Sequence, residues 1–262
     1  MRTFAIGDIH GAHLALEQCL ARSGFNRNAD QLVTLGDICD GWPYVFECVE
    51  ILLTVVNRID IIGNHDEWFK RWLTCGVHPD AWIQGGNGTY RSYSRNLHGY
   101  DDSHHYLNSG DIPGQHWKFF MHQRLYFEEN NHFFVHGGFD RYKSIDDNRT
   151  DNPTAFYWDR DLWDQALSCK GEQKLQTVDD FDKIYIGHTA TTHWTEKEVI
   201  TIGGIIIPRG GKIMRPMFSG GVWNLDTGAG WTGKLTIMDV DTNEYWQSDL
   251  VTDLYPEEYR NR

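Results

Sequence analysis

The sequence predicts an α/β protein whose first third builds a parallel sheet. Short apolar runs at Thr3–Ile6, Gln31–Leu35 and Ile59–Ile62 each end in a glycine followed by a polar residue: Gly7-Asp8, Gly36-Asp37 and Gly63-Asn64. Stretches with helical apolar spacing lie between them, and strand–loop–helix units at a pitch of roughly 30 residues mark βαβ topology. In such sheets ligands gather beyond the carboxyl ends of the strands, where all three polar pairs fall.

Each element follows from local pattern. After the first run, Leu14, Leu16, Cys19 and Leu20 recur at helical spacing. After the second, Pro43 precedes a helical stretch containing Val45, Val49, Leu52 and Leu53. Residues 66–128 read as a largely helical insertion with a glycine-rich break at Gln84-Gly85-Gly86-Asn87-Gly88 and a polar loop from His98 to Asp111. Beyond it, Phe133–Val135, Lys183–Ile186, Ile202–Ile207, Gly221–Leu225 and Leu235–Val240 read as strands. Asp241-Thr242-Asn243 and Glu244–Gln247 then complete a terminal hairpin. No repeat, low-complexity linker or boundary divides 1–262, so one domain carrying the 66–128 insertion is expected.

Composition narrows the function. The chain has 262 residues, 40% hydrophobic and 14% aromatic, ample for a core. Its net charge is −13, without a dense Lys/Arg cluster, which argues against nucleic acid and anionic membrane surfaces as partners. The longest apolar candidate, Val45 to Val56, contains Glu47 and Glu50, and with the first motif beginning at residue 7 no signal peptide is expected. Five cysteines without a CxxC pair (Cys19, Cys39, Cys48, Cys75 and Cys169) fit reduced thiols in a cytoplasmic protein.

The chemistry lies at the strand ends. Asp8, His10, Asp37 and Asn64 are joined by His136 in His136-Gly137-Gly138 and His188 in Gly187-His188-Thr189. Each sits in a motif whose glycine permits a sharp turn and close approach. Two carboxylates, three imidazoles and one amide oxygen form a thiolate-free set suited to manganese, iron or zinc. Two ions about 3.5–4 Å apart need a shared ligand, and Asp37 can bridge them. Asp8, His10 and Asp37 would take the first ion; Asp37, Asn64, His136 and His188 the second. Taken singly, a Gly-Asp after a strand is usually a turn and a lone histidine usually a satisfied core residue. It is their recurrence at successive strand ends that points to a metal pair.

Gly7-Asp8-Ile9-His10-Gly11, Gly36-Asp37-Ile38-Cys39-Asp40, Gly63-Asn64-His65-Asp66, His136-Gly137-Gly138 and Gly187-His188-Thr189 together resemble the calcineurin-like metallophosphoesterases. Within these, Trp158-Asp159-Arg160-Asp161 and Asn224-Leu225-Asp226-Thr227-Gly228-Ala229 resemble the phosphoprotein phosphatase family of bacteriophage-lambda type. The resemblance implies a central β-sandwich flanked by helices, two divalent ions (manganese foremost) and a metal-bridging hydroxide that attacks phosphorus. It implies His65 as general acid, Asp40 as the carboxylate that orients it, and Arg160 with Asn64 as phosphate-binding residues.

One position departs from the family. Its second motif continues Asp-Arg-Gly, whereas this chain reads Asp40-Gly41-Trp42-Pro43, so a phosphate-clamping arginine is missing. A charge-assisted hydrogen bond is worth about 1.5–3 kcal/mol. Arg91, Arg95 and Arg124 are candidate replacements. Trp42 is read either as a platform for a flat substrate or, with more weight, as a loop tryptophan packed on its neighbours. The leading expectation is a phosphomonoesterase of serine/threonine phosphatase type, acting on phosphopeptides or small phosphate esters. The alternative is hydrolysis of dinucleoside polyphosphates or phosphodiesters; a catalytically weak phosphate-binding module is a third.

Overall fold

The computed structural model describes residues 1–77, 82, 85–99, 107–171, 173–196, 198–202 and 205–260. Two five-stranded mixed sheets lie face to face. The first has the order β12-β11-β1-β2-β3, from β1 (Thr3–Ile6), β2 (Gln31–Thr34), β3 (Asn57–Asp60), β11 (Thr236–Asp239) and β12 (Tyr245–Gln247). Here β1, β2 and β3 run parallel, and β11 pairs antiparallel with both β1 and β12. The second has the order β4-β5-β6-β10-β9, from β4 (Tyr126–Glu129), β5 (His132–Val135), β6 (Lys183–Ile186), β9 (Met217–Ser219) and β10 (Val222–Asn224). Its three central strands β5, β6 and β10 are parallel.

Alternation along the strands makes the layers. Ala5, Val33, Phe134, Tyr185 and Met238 point between the sheets and form the sandwich core. Their neighbours Phe4, Ile6 and Leu32 face α1 (His13–Arg22) and α2 (Val45–Leu53). Phe133, Val135, Ile184 and Ile186 instead face α6 (Ile145–Asp151), α7 (Ala155–Trp158) and α8 (Asp161–Leu167). The period-2 exposure of a strand therefore gives a helix–sheet–sheet–helix stack.

The described part of 66–128 is mainly helical: α3 (Asn64–Cys75), α4 (Gly86–His98), a 3₁₀ turn at Ser109–Asp111 and α5 (Gly114–Met121). Two expectations need correction here. The glycine-rich stretch opens α4 instead of breaking a helix, and α4 runs through to His98, where a loop was expected. Gln84 and residues 100–106, including His104 and His105, lie outside the described residues. A third correction concerns Ile202–Ile207, read as one strand. The chain forms a hairpin, β7 (Glu198–Ile202) with β8 (Ile205–Arg209), because continuous apolar residues hide a reversal from periodicity. Strands β4 and β9 were not predicted; each pairs antiparallel at an edge of the second sheet. No helix among the described residues is long and apolar enough to cross a membrane.

Candidate metal centre

Both sheets deliver polar residues to one edge. Asp8, Asp37 and Asn64 follow β1, β2 and β3; His136 and His188 follow β5 and β6. Two groups have donor atoms within 4.8 Å of one another: His10–Asp37–His65 and Asp37–His136–His188. Asp37 is common to both. Its Oδ2 lies 3.6 Å from His10 Nε2 and 3.4 Å from His136 Nε2. Asn64 Oδ1 is 3.1 Å from His136 Nε2, beside the second group. Asp8 belongs to neither: its buried carboxylate accepts the His188 backbone N–H at 3.0 Å.

Backbone partners fix the imidazoles. His10 Nδ1 donates to the Cys39 carbonyl at 3.0 Å, leaving its Nε2 as the lone-pair nitrogen, and His136 Nδ1 donates to the Leu35 carbonyl at 2.7 Å, which turns its Nε2 toward Asp37. His188 Nε2 is buried without a hydrogen-bond partner. An unpaired buried nitrogen costs free energy unless something ligates it. Burial lowers His188 to about 2 and His10 to about 4, so both rings stay neutral. Asp37 is held well below the usual carboxylate range: burial opposes this, but the His136 and His65 charges outweigh it. Asp8 is pushed well up by burial and by Asp226 and Asp37. The donor set, the two fixed ring orientations and the orphaned nitrogen suit divalent ions of the N/O-preferring kind.

Beside this cluster stands an acid–carboxylate pair. His65 Nδ1 donates to Asp40 Oδ2 at 2.7 Å, and its backbone N–H donates to Asp37 Oδ1 at 3.0 Å. Burial opposes charge on His65, but Asp37 and the Asp40 hydrogen bond outweigh it and lift it to about 9. Arg160 Nη1 donates to His188 O at 3.0 Å and Thr189 Oγ1 at 2.8 Å, which fixes the guanidinium next to the second group.

Sequence reasoning missed the residues that tie these loops together. Asp66 is fully buried and accepts N–H groups from Ile38, Cys39 and Gly63 and from the Gln123 amide, at 2.8 to 3.1 Å. An acidic residue in the first turn of a helix after Gly63 was the available signal, since that position commonly caps. The partners of Asp40, Thr89 and Trp82, had no local signal.

The second-motif loop is also resolved. Trp42 is fully buried, donates from Nε1 to the Ala229 carbonyl at 2.7 Å and stacks on Tyr255, so it is packed and offers no platform. Arg95 is committed to the Pro43 carbonyl and Glu47, over the Tyr44 ring. Arg124 lies 5.8 Å from the Phe127 ring. Arg91 is half-buried on α4, whose first turn covers Gly41. Gly41 itself has φ +74°, so an arginine placed there would be strained.

The calcineurin-like phosphoesterase family profile matches residues 1–200. The chain belongs to that family. It is accordingly a metal-dependent phosphoric ester hydrolase, and the two overlapping donor groups are where the metals of such an enzyme can sit. This phosphoesterase is 28% identical over 139 residues to the symmetrical bis(5'-nucleosyl)-tetraphosphatase of Nitrosomonas europaea, covering 53% of this chain and 45% of the relative. It is 37% identical over 77 residues to the enzyme of the same name from Neisseria gonorrhoeae, covering 29% and 28%. The matches thus span less than half the length of these curated relatives. A metallophosphoesterase structure from Sphaerobacter thermophilus shares the fold with a TM-score of 0.54 and 17% identity, over 98% of this chain and 94% of that one.

Proposed function

We propose that this phosphoesterase hydrolyses dinucleoside polyphosphates such as diadenosine tetraphosphate, displacing the earlier expectation of a serine/threonine-type phosphatase to second place. The observation that carries the reading is Trp158. It is 43% exposed, with its ring 5.9 Å from His188 and 5.5 Å from Trp68, a flat face at the rim of the donor cluster. Such a face stacks a nucleobase irrespective of its identity. The names of the curated relatives support the same substrate class.

In this reading Asp8, His10 and Asp37 hold one ion, and Asp37, Asn64, His136 and His188 the other, manganese being the first choice. When bound, such a pair supplies an acidified water as nucleophile and neutralises phosphoryl charge. Arg160 and the Asn64 amide orient the phosphoryl oxygens. Water adds to phosphorus as the bond to the bridging oxygen breaks; that oxygen takes the proton from His65 Nε2, and Asp40 keeps the ring aligned. Cleavage at the centre of the chain releases two nucleoside diphosphates.

Phosphomonoester hydrolysis is the second reading. The complete His65–Asp40 pair favours it, because an alkoxide leaving group needs protonation more than a phosphate does. The deciding experiment compares kcat/KM of the manganese-loaded protein on diadenosine tetraphosphate, a phosphoserine peptide and p-nitrophenyl phosphate. The first is expected to exceed the second by about tenfold or more, roughly 1.4 kcal/mol. A peptide turned over as well as the dinucleotide reverses the ranking.

A further inference from the structure

The carboxylate behind His65 is held by residues to which no role attaches so far. Asp40 is fully buried and stands at φ +69°, a region a non-glycine residue seldom occupies. Thr89, in the first turn of α4, closes a reciprocal clasp on it. The Asp40 backbone N–H donates to Thr89 Oγ1 at 2.8 Å, and Thr89 Oγ1 donates to Asp40 Oδ1 at 2.6 Å. Trp82 Nε1 donates to the same Oδ1 at 2.9 Å. Oδ1 thus takes both donors, and Oδ2 is left for His65 Nδ1 at 2.7 Å. Thr89 and Trp82 are both buried.

The surroundings are built for this approach. A Cβ on Gly88 would meet the Gly41 carbonyl at 2.6 Å, and one on Gly86 would meet the Trp82 ring at 2.6 Å. Trp82 packs on Phe69 and Trp72 of α3, the helix that carries His65 in its first turn. The glycines of Gly85-Gly86-Asn87-Gly88 therefore let α4 descend onto Asp40, and α3 and α4 grip the carboxylate from two sides.

We propose that Thr89 and Trp82 are positioning residues for phosphoryl transfer, locking the Asp40 carboxylate so that His65 is aimed at the leaving oxygen. The inference rests on His65 acting as general acid. Its consequence is a dependence on the leaving group: a misaimed acid hinders departure of a basic oxygen and matters little for one that leaves unaided.

The test uses the manganese-loaded enzyme and two aryl phosphates, phenyl phosphate and 2,4-dinitrophenyl phosphate. Thr89→Val is expected to lower kcat on phenyl phosphate by about tenfold or more and on the dinitrophenyl ester by no more than about threefold. Thr89→Ser restores the hydroxyl and should recover the phenyl phosphate rate, whereas Trp82→Phe should repeat the selectivity of Thr89→Val. A structural defect would depress both substrates together. Equal losses on the two esters in both Thr89→Val and Trp82→Phe, or no loss in either, overturn the proposal. His65→Ala separates the underlying reading: if it too shows no leaving-group selectivity, the general-acid role fails; if it does while the positioning variants do not, only the present inference fails.

Discussion

His10, Asp37, Asp40 and His188 have φ between +48° and +69°, conformations that cost a non-glycine residue about 1–3 kcal/mol each. Such strain persists only where surrounding contacts over-determine it, and Asp66 holds the Ile38 and Cys39 N–H groups that lie between Asp37 and Asp40. Replacing Asp66 with Ala strands three backbone N–H groups and the Gln123 amide in a buried site. We expect a loss of roughly 3 kcal/mol or more in urea unfolding, against less than half of that for Asp66→Asn. Asp37 supports a second prediction. Because its carboxylate faces both donor groups, Asp37→Ala should abolish binding of both ions, while His10→Ala should leave one per chain by elemental analysis. Two ions retained in Asp37→Ala would exclude the bridging assignment. The candidate ligands could be picked out in the sequence because each sits beside a glycine at a strand end. The left-handed backbone and the Asp66 clasp were not, because both depend on contacts between segments far apart in the chain.

At the scale of elements, α4 and the short helix α7 (Ala155–Trp158) frame the centre from two sides. Trp158 at the end of α7 belongs to the proposed base platform. Trp158→Ala is expected to raise KM for diadenosine tetraphosphate by about tenfold, the value of one stacked base at about 1–3 kcal/mol, and to leave KM for p-nitrophenyl phosphate within about twofold. Equal changes on both substrates would remove the stacking argument. Strands β1, β2, β6, β11 and β12 and helices α1 and α2 were legible because their apolar periods are undiluted. The β7–β8 hairpin was not, since an unbroken apolar run carries no period. The opening of α4 was read as a break because glycine has poor helix propensity; close packing on Gly41 overrides it.

The whole molecule is acidic, yet several of its histidines are buried neutral. His116 is fully buried between Tyr93 and Glu50, and burial lowers its pKa despite the Glu50 hydrogen bond. The unfolded state then binds more protons between the lowered native value and about 6.5, so stability rises with pH through that window and is lost as pH falls. The unfolding free-energy gap between the parent and His116→Gln should therefore widen from about pH 5 to about pH 7 and level off above it. A gap that is flat or narrows would contradict this sign.

The edge-on convergence of the two sheets has a mechanical consequence. Asp8, His10 and Asp37 all issue from the first sheet, but the second donor group joins Asp37 of that sheet to His136 and His188 of the other. An ion held there would be a coordinate cross-link between layers that otherwise meet through the apolar sandwich core and a few hydrogen bonds, among them His136 Nδ1 to the Leu35 carbonyl and the His188 N–H to Asp8. Anything that binds only the folded state stabilises it by mass action, about 2.7 kcal/mol at a hundredfold excess over Kd. Chelation should lower the melting temperature, and His136→Ala should remove most of that metal-dependent increment, whereas His10→Ala should preserve most of it. Loading would then act as a rivet through the sandwich, tying the resistance of the whole fold to the same ion that serves the chemistry.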